Sequence, residues 1–298
     1  MTAPVGCCEL RCAWQANSLL GEGAWWSVAD EALYWVDIKS CAILRYHPSR
    51  DTKHQWPSPE QVGCFVARAQ GGFVGGFRSG LCTFSLGKPG EPILLHTIAR
   101  PAEYTETDRF NDGKCHPDGS FWAGTMDDAE CEARGHFYRL SVNGRLDCLS
   151  GPHRICNGPA FSPDGRFAYL TDSAQRMVYR MDRDHSGQPI EPFATFAESD
   201  GYPDGMTTDS EGRLWIAFWD GWKIMCLMPS GERLIEISLP VSRPTSCAFG
   251  GTDLSTLFIT SARIGLGPVE VASQPLAGAL FACTVIGARG WPTPIFGG

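Results

Sequence analysis

Residues 163–182 read PDGRFAYLTDSAQRMVYRMD: a turn on Asp164-Gly165, an aromatic-rich strand, a short gap and a second strand. The same order recurs five more times. It appears in 29–47 (ADEALYWVDIKSCAILRYH), 69–85 (AQGGFVGGFRSGLCTFS), 117–126 with 135–141 (PDGSFWAGTM, GHFYRLS), 210–229 (SEGRLWIAFWDGWKIMCLMP) and 252–263 with 278–285 (TDLSTLFITSAR, GALFACTV). The first apolar position of each unit is Leu33, Phe73, Phe121, Phe167, Leu214 or Leu257, giving spacings of 40, 48, 46, 47 and 43. A period near 45 residues suits four short strands and three turns, the unit of a propeller blade. Six such units occupy most of the 298 residues. The sequence therefore predicts an all-β fold, a six-bladed β-propeller forming a single domain over 1–298 with a site in its central channel.

Local chemistry agrees. Val, Ile, Phe, Tyr and Trp crowd the repeated segments, and Asp118-Gly119, Asp164-Gly165 and Asp204-Gly205 punctuate them. Gly and Pro, 34 and 21 in number, interrupt nearly every candidate helical stripe. The segment Glu9–Trp14 is expected to pair into the last blade and close the ring, and the Pro- and Gly-rich tail WPTPIFGG to drape over a blade.

Composition removes several classes. With 43% apolar residues the chain can bury a large core, so disorder is excluded as its main description. Its 25 basic and 33 acidic residues leave a net charge of −8, which argues against nucleic acid and anionic membrane surfaces as partners. No apolar run reaches the roughly 18 residues of a membrane span. The opening MTAPVGCCELRC has neither the basic head nor the apolar stretch of a signal peptide, so a cytoplasmic location is expected. The 13 cysteines are an odd number without a CxxC pair, and read as reduced thiols, mostly small core fillers. A monomer or weak dimer is the default assembly.

In a propeller the innermost strand of each blade lines the channel, so equivalent positions converge on the axis. Ten residues before Phe121, Phe167 and Leu214 stand Asn111, Asn157 and Asp204, and eleven before Leu33 stands Glu22. Gly63 and Cys247 hold that phase in the other two units. Each polar residue alone reads as a turn or a solvated loop. At one shared phase they describe oxygen ligands for a hard cation, in a shell open enough to admit substrate.

LGEGAWW (20–26), RFNDGK (109–114), FWAGTM (121–126), ICNGPAFSPDGR (155–166) and DGYPDGMTTDSEGRLW (200–215) resemble the regucalcin/gluconolactonase family of six-bladed propeller sugar lactonases. The resemblance runs over nearly the whole chain, blade by blade. It implies one divalent metal ion held by Glu22, Asn157 and Asp204, calcium first, with zinc, manganese, magnesium or iron as alternatives. It implies Asp204 as general base and acid, and Arg109 and Asn111 as contacts to the substrate's oxygens. The expected substrate is a small sugar lactone, and the expected reaction its hydrolysis to an aldonic acid. Two positions depart from the family pattern. Ala24 replaces the proline usual after GEG. An acidic substrate contact of some relatives aligns with Ala129; Asp127, Asp128 and Glu130 are candidates to substitute, with Asp128 assigned to substrate binding, or the contact is absent. Trp25, Trp26, Tyr104 and Trp219 are candidates for an apolar wall, although propeller packing explains such residues equally well.

Competing motifs are weak. There is no HExxH for a zinc peptidase and no GxSxG nucleophile elbow, and Gly113-Lys114 lacks the rest of a phosphate loop. Asp182-Arg183-Asp184 with Gly187 mimics the start of a calcium loop without its terminal Glu, and reads better as a charged hairpin. Two other readings keep the fold: a metal-dependent esterase or phosphotriesterase, and a calcium-binding propeller without catalysis.

Overall fold

A computed structural model of the protein describes residues 5–7, 9–183 and 190–298. Cys8 and the Asp184 and Gly187 positions of the charged hairpin lie outside the described residues. Six antiparallel sheets follow one another along the chain; in the first five the strands run in sequence order from the axis outward, and the sixth takes its outer edge from the N-terminal segment. The inner strands are Gly21–Ser27, Val62–Ala67, Asp108–Cys115, Cys156–Phe161, Tyr202–Thr208 and Pro244–Gly250. Each touches the next, and the sixth touches the first, so they form a closed ring around a channel. This is a six-bladed β-propeller.

Burial explains the sequence texture. Second strands such as Ala32–Asp37 and Leu214–Trp219 are covered on both faces by neighbouring blades and are almost continuously apolar. Outermost strands such as Thr52–Pro57 and Arg233–Ser238 alternate exposed and covered positions. Aromatic rings join the blades. Trp26 stacks on Phe258 at 5.6 Å between first and last, Trp122 meets Phe161 edge-on at 5.3 Å between third and fourth, and Trp215 meets Phe249 at 5.5 Å between fifth and sixth.

Ring closure comes from the N-terminal segment. Strand Leu280–Ile286 of the sixth blade pairs with Arg11–Trp14 (Arg11 opposite Ala282, Cys12 opposite Phe281) and, further along the same edge, with Gly6–Cys7. The last blade thus takes its outer edge from the opposite end of the chain. The same blade carries the one α-helix among the described residues, which the sequence reading did not expect: Pro268–Ser273, inside the insertion between two strands. Pro sits in its first turn and the Gly267 amide donates to Glu270 Oε2 at 2.7 Å, a start signal too brief for periodicity to reveal. No helix among the described residues is long and apolar enough to cross a membrane.

The C-terminal tail does more than drape over one blade. It crosses the end of the channel where the inner strands finish. Gly290 donates to Leu254 O and Trp291 Nε1 to Thr208 Oγ1; the Phe296 amide then reaches Ala67 O, and the Gly297 amide Gly119 O, at 2.8–3.0 Å throughout. Phe296 is buried against the second and third blades.

Deleting residues 1–14 exposes the edge of Leu280–Ile286, a template for intermolecular pairing. The truncated protein is expected to aggregate or to unfold at markedly lower temperature, read by light scattering and thermal melts. A truncation as stable as the full chain would refute the closure.

Candidate active site

Every inner strand leaves regular pairing near its start. In four blades two residues oppose one across the ladder: Gly23-Ala24, Asn111-Asp112, Gly158-Pro159 and Asp204-Gly205. In the other two the extra residue is Gly63 or Thr245. Such bulges bend a strand and re-aim its side chains. The four blades with two-residue bulges are those that bring Glu22, Asn111, Asn157 and Asp204 to the axis. The register adds a detail that the repeat hid. Glu22 and Asn157 occupy the last paired position before the bulge, opposite Val36 and Thr171, whereas Asn111 and Asp204 are the first residues inside it.

All four line one cavity of about 600 Å³ at the channel mouth, within the usual range for small-molecule sites. Arg109, Lys39, Glu130, Arg154, Ser173, Tyr202, Trp219 and Arg243 share its wall. A chain of hydrogen bonds fixes the floor. Asn111 Nδ2 donates to Asn157 Oδ1 at 2.8 Å and to Cys156 O at 2.9 Å, while Asn111 Oδ1 accepts from Arg109 Nη1 at 2.5 Å. Asn157 Nδ2 donates to Ser173 Oγ at 2.9 Å, and Ser173 gives its single proton to Pro203 O at 2.6 Å. Because that hydroxyl must accept from Asn157, the amide has one orientation, with Oδ1 on the Asn111 side. Ser173 had no signal in the repeat; it follows the second strand of the fourth blade and acts across to the fifth.

The acidic groups are stressed. Glu22 and Asp204 are each only 5% exposed. Burial first, then the carboxylates of Asp204 and Asp112, push Glu22 well above the ordinary carboxylate range. Burial and then Asp112 do the same to Asp204, against the Gly205 amide and with Glu130 adding to the rise. Asp204 Oδ1 is buried with no hydrogen-bond partner. Asp112 is raised by burial too, although Lys114 and the amides of Gly113 and Gly158 oppose the shift. Among the described residues no cluster of three or more His, Cys, Asp or Glu side chains is placed to hold a metal. The candidate donors are therefore two carboxylates and one amide oxygen. An orphaned buried carboxylate oxygen beside a second carboxylate is the electrostatic deficit that a divalent cation fills, so these residues fit such an ion.

The remaining expected residues divide. Arg109, 3% exposed, commits Nε to Asp128 Oδ1 at 2.6 Å and Nη1 to Asn111, leaving Nη2 without a protein partner among the described residues. Asn111 has both ends engaged and braces Arg109 against Asn157. Asp128 is not on the cavity wall. It stands behind it, also joined to Lys39 at 2.6 Å and Arg78 at 3.5 Å. Burial would raise Asp128, yet the Lys39 ammonium and Arg109 guanidinium draw it down to about 2. Of the acidic candidates near Ala129, Glu130 faces the cavity. Of the four aromatics, Trp219 alone lines it; Trp25 stacks on Tyr34, Trp26 on Phe258 and Tyr104 on Phe110. Cys247 is buried away from the site, its thiol donating to Trp215 O at 3.4 Å.

Residues 20–263 match the profile of the SMP-30/Gluconolactonase/LRE-like region. The chain is 39% identical over 292 residues to a 6-deoxy-6-sulfogluconolactonase of Pseudomonas putida, covering 97% of this chain and 99% of that one. It is 33% identical to an L-arabinolactonase of Azospirillum brasilense, covering 89% and 88%. Among solved structures a luciferin-regenerating enzyme superposes with a TM-score of 0.90 at 27% identity, covering 98% of this chain and all of that one.

Two outcomes follow from the geometry. A carboxylate raised by folding weakens stability as pH climbs past its unfolded value of about 4. Asp204→Asn in metal-free protein should therefore raise Tm at neutral pH, about 1.5–2 °C for each kcal/mol recovered, and change little near pH 3. A Tm gain independent of pH would dissociate the effect from ionisation. A Cβ at Gly63 would collide with the backbone carbonyls of Phe110 and Asn111. Gly63→Ala should cost about 1–3 kcal/mol in denaturant unfolding, as overpacking does, and a neutral result would show that the third blade yields freely there.

Proposed function

Because the chain belongs to the SMP-30/Gluconolactonase/LRE-like family, we propose that it is a hydrolase of sugar lactones, opening hexono- or pentonolactones to aldonic acids. The observation that carries the reading is Asp204: a buried carboxylate with an unpartnered oxygen, in the same cavity as Glu22 and Asn157. These three side chains would hold one divalent cation, calcium first by its preference for oxygen donors, with zinc, manganese, magnesium or iron as alternatives. Bound there, the ion supplies Lewis acidity and positive charge where the lactone carbonyl gains negative charge.

The chain's own groups do the rest. Asp204 accepts a proton from the attacking water as the new C–O bond forms, and returns it to the ring oxygen as the ester bond breaks. Asn111 links Arg109 to Asn157 through its amide, accepting from the first and donating to the second. Arg109 Nη2 donates to a substrate hydroxyl or carbonyl oxygen, its position set by Asp128 and Asn111. Asp128 thus serves substrate binding through Arg109 rather than by touch. Trp219 and Tyr202 also line the cavity, each with a guanidinium, of Arg243 and Arg176, over its ring. The density of charged groups around the mouth supports a hydroxylated substrate over an apolar triester.

Asp204→Ala is expected to lower kcat by about 10²- to 10⁴-fold, the range for a lost general base, with no recovery on adding metal. Asn157→Ala should silence turnover at trace metal and recover in part at high metal. Chelation should abolish wild-type hydrolysis of a lactone panel and added calcium restore it; undiminished turnover in metal-free protein would eliminate the cation.

A further inference from the structure

The cavity wall carries four cationic side chains beside the carboxylates of Glu22, Glu130 and Asp204. Lys39, Arg109, Arg154 and Arg243 all line it. Three cations, Lys39, Arg78 and Arg109, share the single carboxylate of Asp128. Arg243 is satisfied elsewhere: its Nε pairs with Asp220 at 2.7 Å, and its guanidinium lies over the Trp219 ring at 4.6 Å. Arg154 differs from the rest. Its guanidinium makes one contact, Nη2 to Cys131 O at 3.2 Å, and among the described residues it has no carboxylate partner. Its backbone is nevertheless held, because the amides of Arg154 and Ile155 both donate to the Asp172 carboxylate, at 3.3 and 3.4 Å.

Position matters as much as charge. Arg154 lies three residues before Asn157, so their Cα atoms are at most about 11 Å apart. Asn157 is buried at the floor, whereas Arg154 is exposed at the rim. A substrate whose reacting carbonyl rests among Glu22, Asn157 and Asp204 would extend its far end toward that rim. A guanidinium steered by a backbone carbonyl but left with free donors suits a planar or tetrahedral oxyanion, which it can bind through two hydrogen bonds.

We propose that the site prefers lactones carrying an anionic group (carboxylate, sulfonate or phosphate) at the end remote from the ester, and that Arg154 binds that group. The inference rests on the lactonase reading and adds its substrate class and a specificity-determining residue.

The test uses calcium-loaded full-length protein and four six-carbon lactones: one uncharged, and three bearing a carboxylate, a sulfonate or a phosphate at C6. Wild type is expected to favour at least one charged lactone in kcat/KM, and the three charged arms identify which anion. Arg154→Ala should lower the charged-to-neutral ratio by about 10- to 100-fold, the worth of a charge-assisted hydrogen-bond pair. Arg154→Lys should restore part of it, and added salt should compress it. A ratio unchanged by Arg154→Ala, or a wild type indifferent to the charge, overturns the proposal. Should wild type open no lactone at all, the lactonase reading falls separately. Calorimetric titration with gluconate and with its C6-charged counterparts then decides: tighter binding of a charged acid that Arg154→Ala removes supports anion recognition, and equal affinity overturns it.

Discussion

Two carboxylates are held almost fully buried at one pocket, and among the described residues neither forms an ion pair, Arg109 offsetting their charge only in part. Glu22 comes from the first blade and Asp204 from the fifth, so only a rigid closed ring can keep them near each other against repulsion and desolvation. Apolar clusters span neighbouring blades, aromatic rings join several of them, and the N-terminal strand locks the circle. The scaffold's stability thus offsets a local instability at its centre, the usual relation between a packed framework and a reactive site.

Bulges translate that framework into chemistry. A regular inner strand would turn alternate side chains into the neighbouring blades. The two-versus-one pairing at Asn111-Asp112 and Asp204-Gly205 lets a residue leave the alternation and face the axis. Where the bulge is Gly63, the space is needed by the carbonyls of the third blade, so no side chain can stand there. The asymmetry of the site follows from six similar blades meeting at a point too narrow for six equal contributions.

Much of this was legible from the chain. The 163–182 pattern and its recurrences gave the blade count, because a propeller blade is a local unit whose turns and apolar strands repeat in sequence. The shared phase likewise singled out Glu22, Asn111, Asn157 and Asp204. The phase was right only to within one residue, since a bulge shifts register without altering composition. Lys39, Arg154, Ser173 and Tyr202 were missed because they sit on turns or at strand beginnings and ends, where distance from the axis depends on loop path rather than on period; Glu130 was a candidate only through its place beside Ala129. Asp128 was identified as important for a reason the structure modifies: it neighbours the cavity in sequence, but three basic side chains claim its carboxylate.

The tail threaded across the far end of the channel makes the central passage a blind well. A small void of about 40 Å³ lies beside Trp291 and Pro294, enough for roughly one water. Whatever enters by the rim must depart by the rim, so arrival and departure compete for one doorway. A freshly formed acid, drawn back by the same guanidinium groups that welcomed its precursor, would linger there and throttle the next turnover as it accumulates.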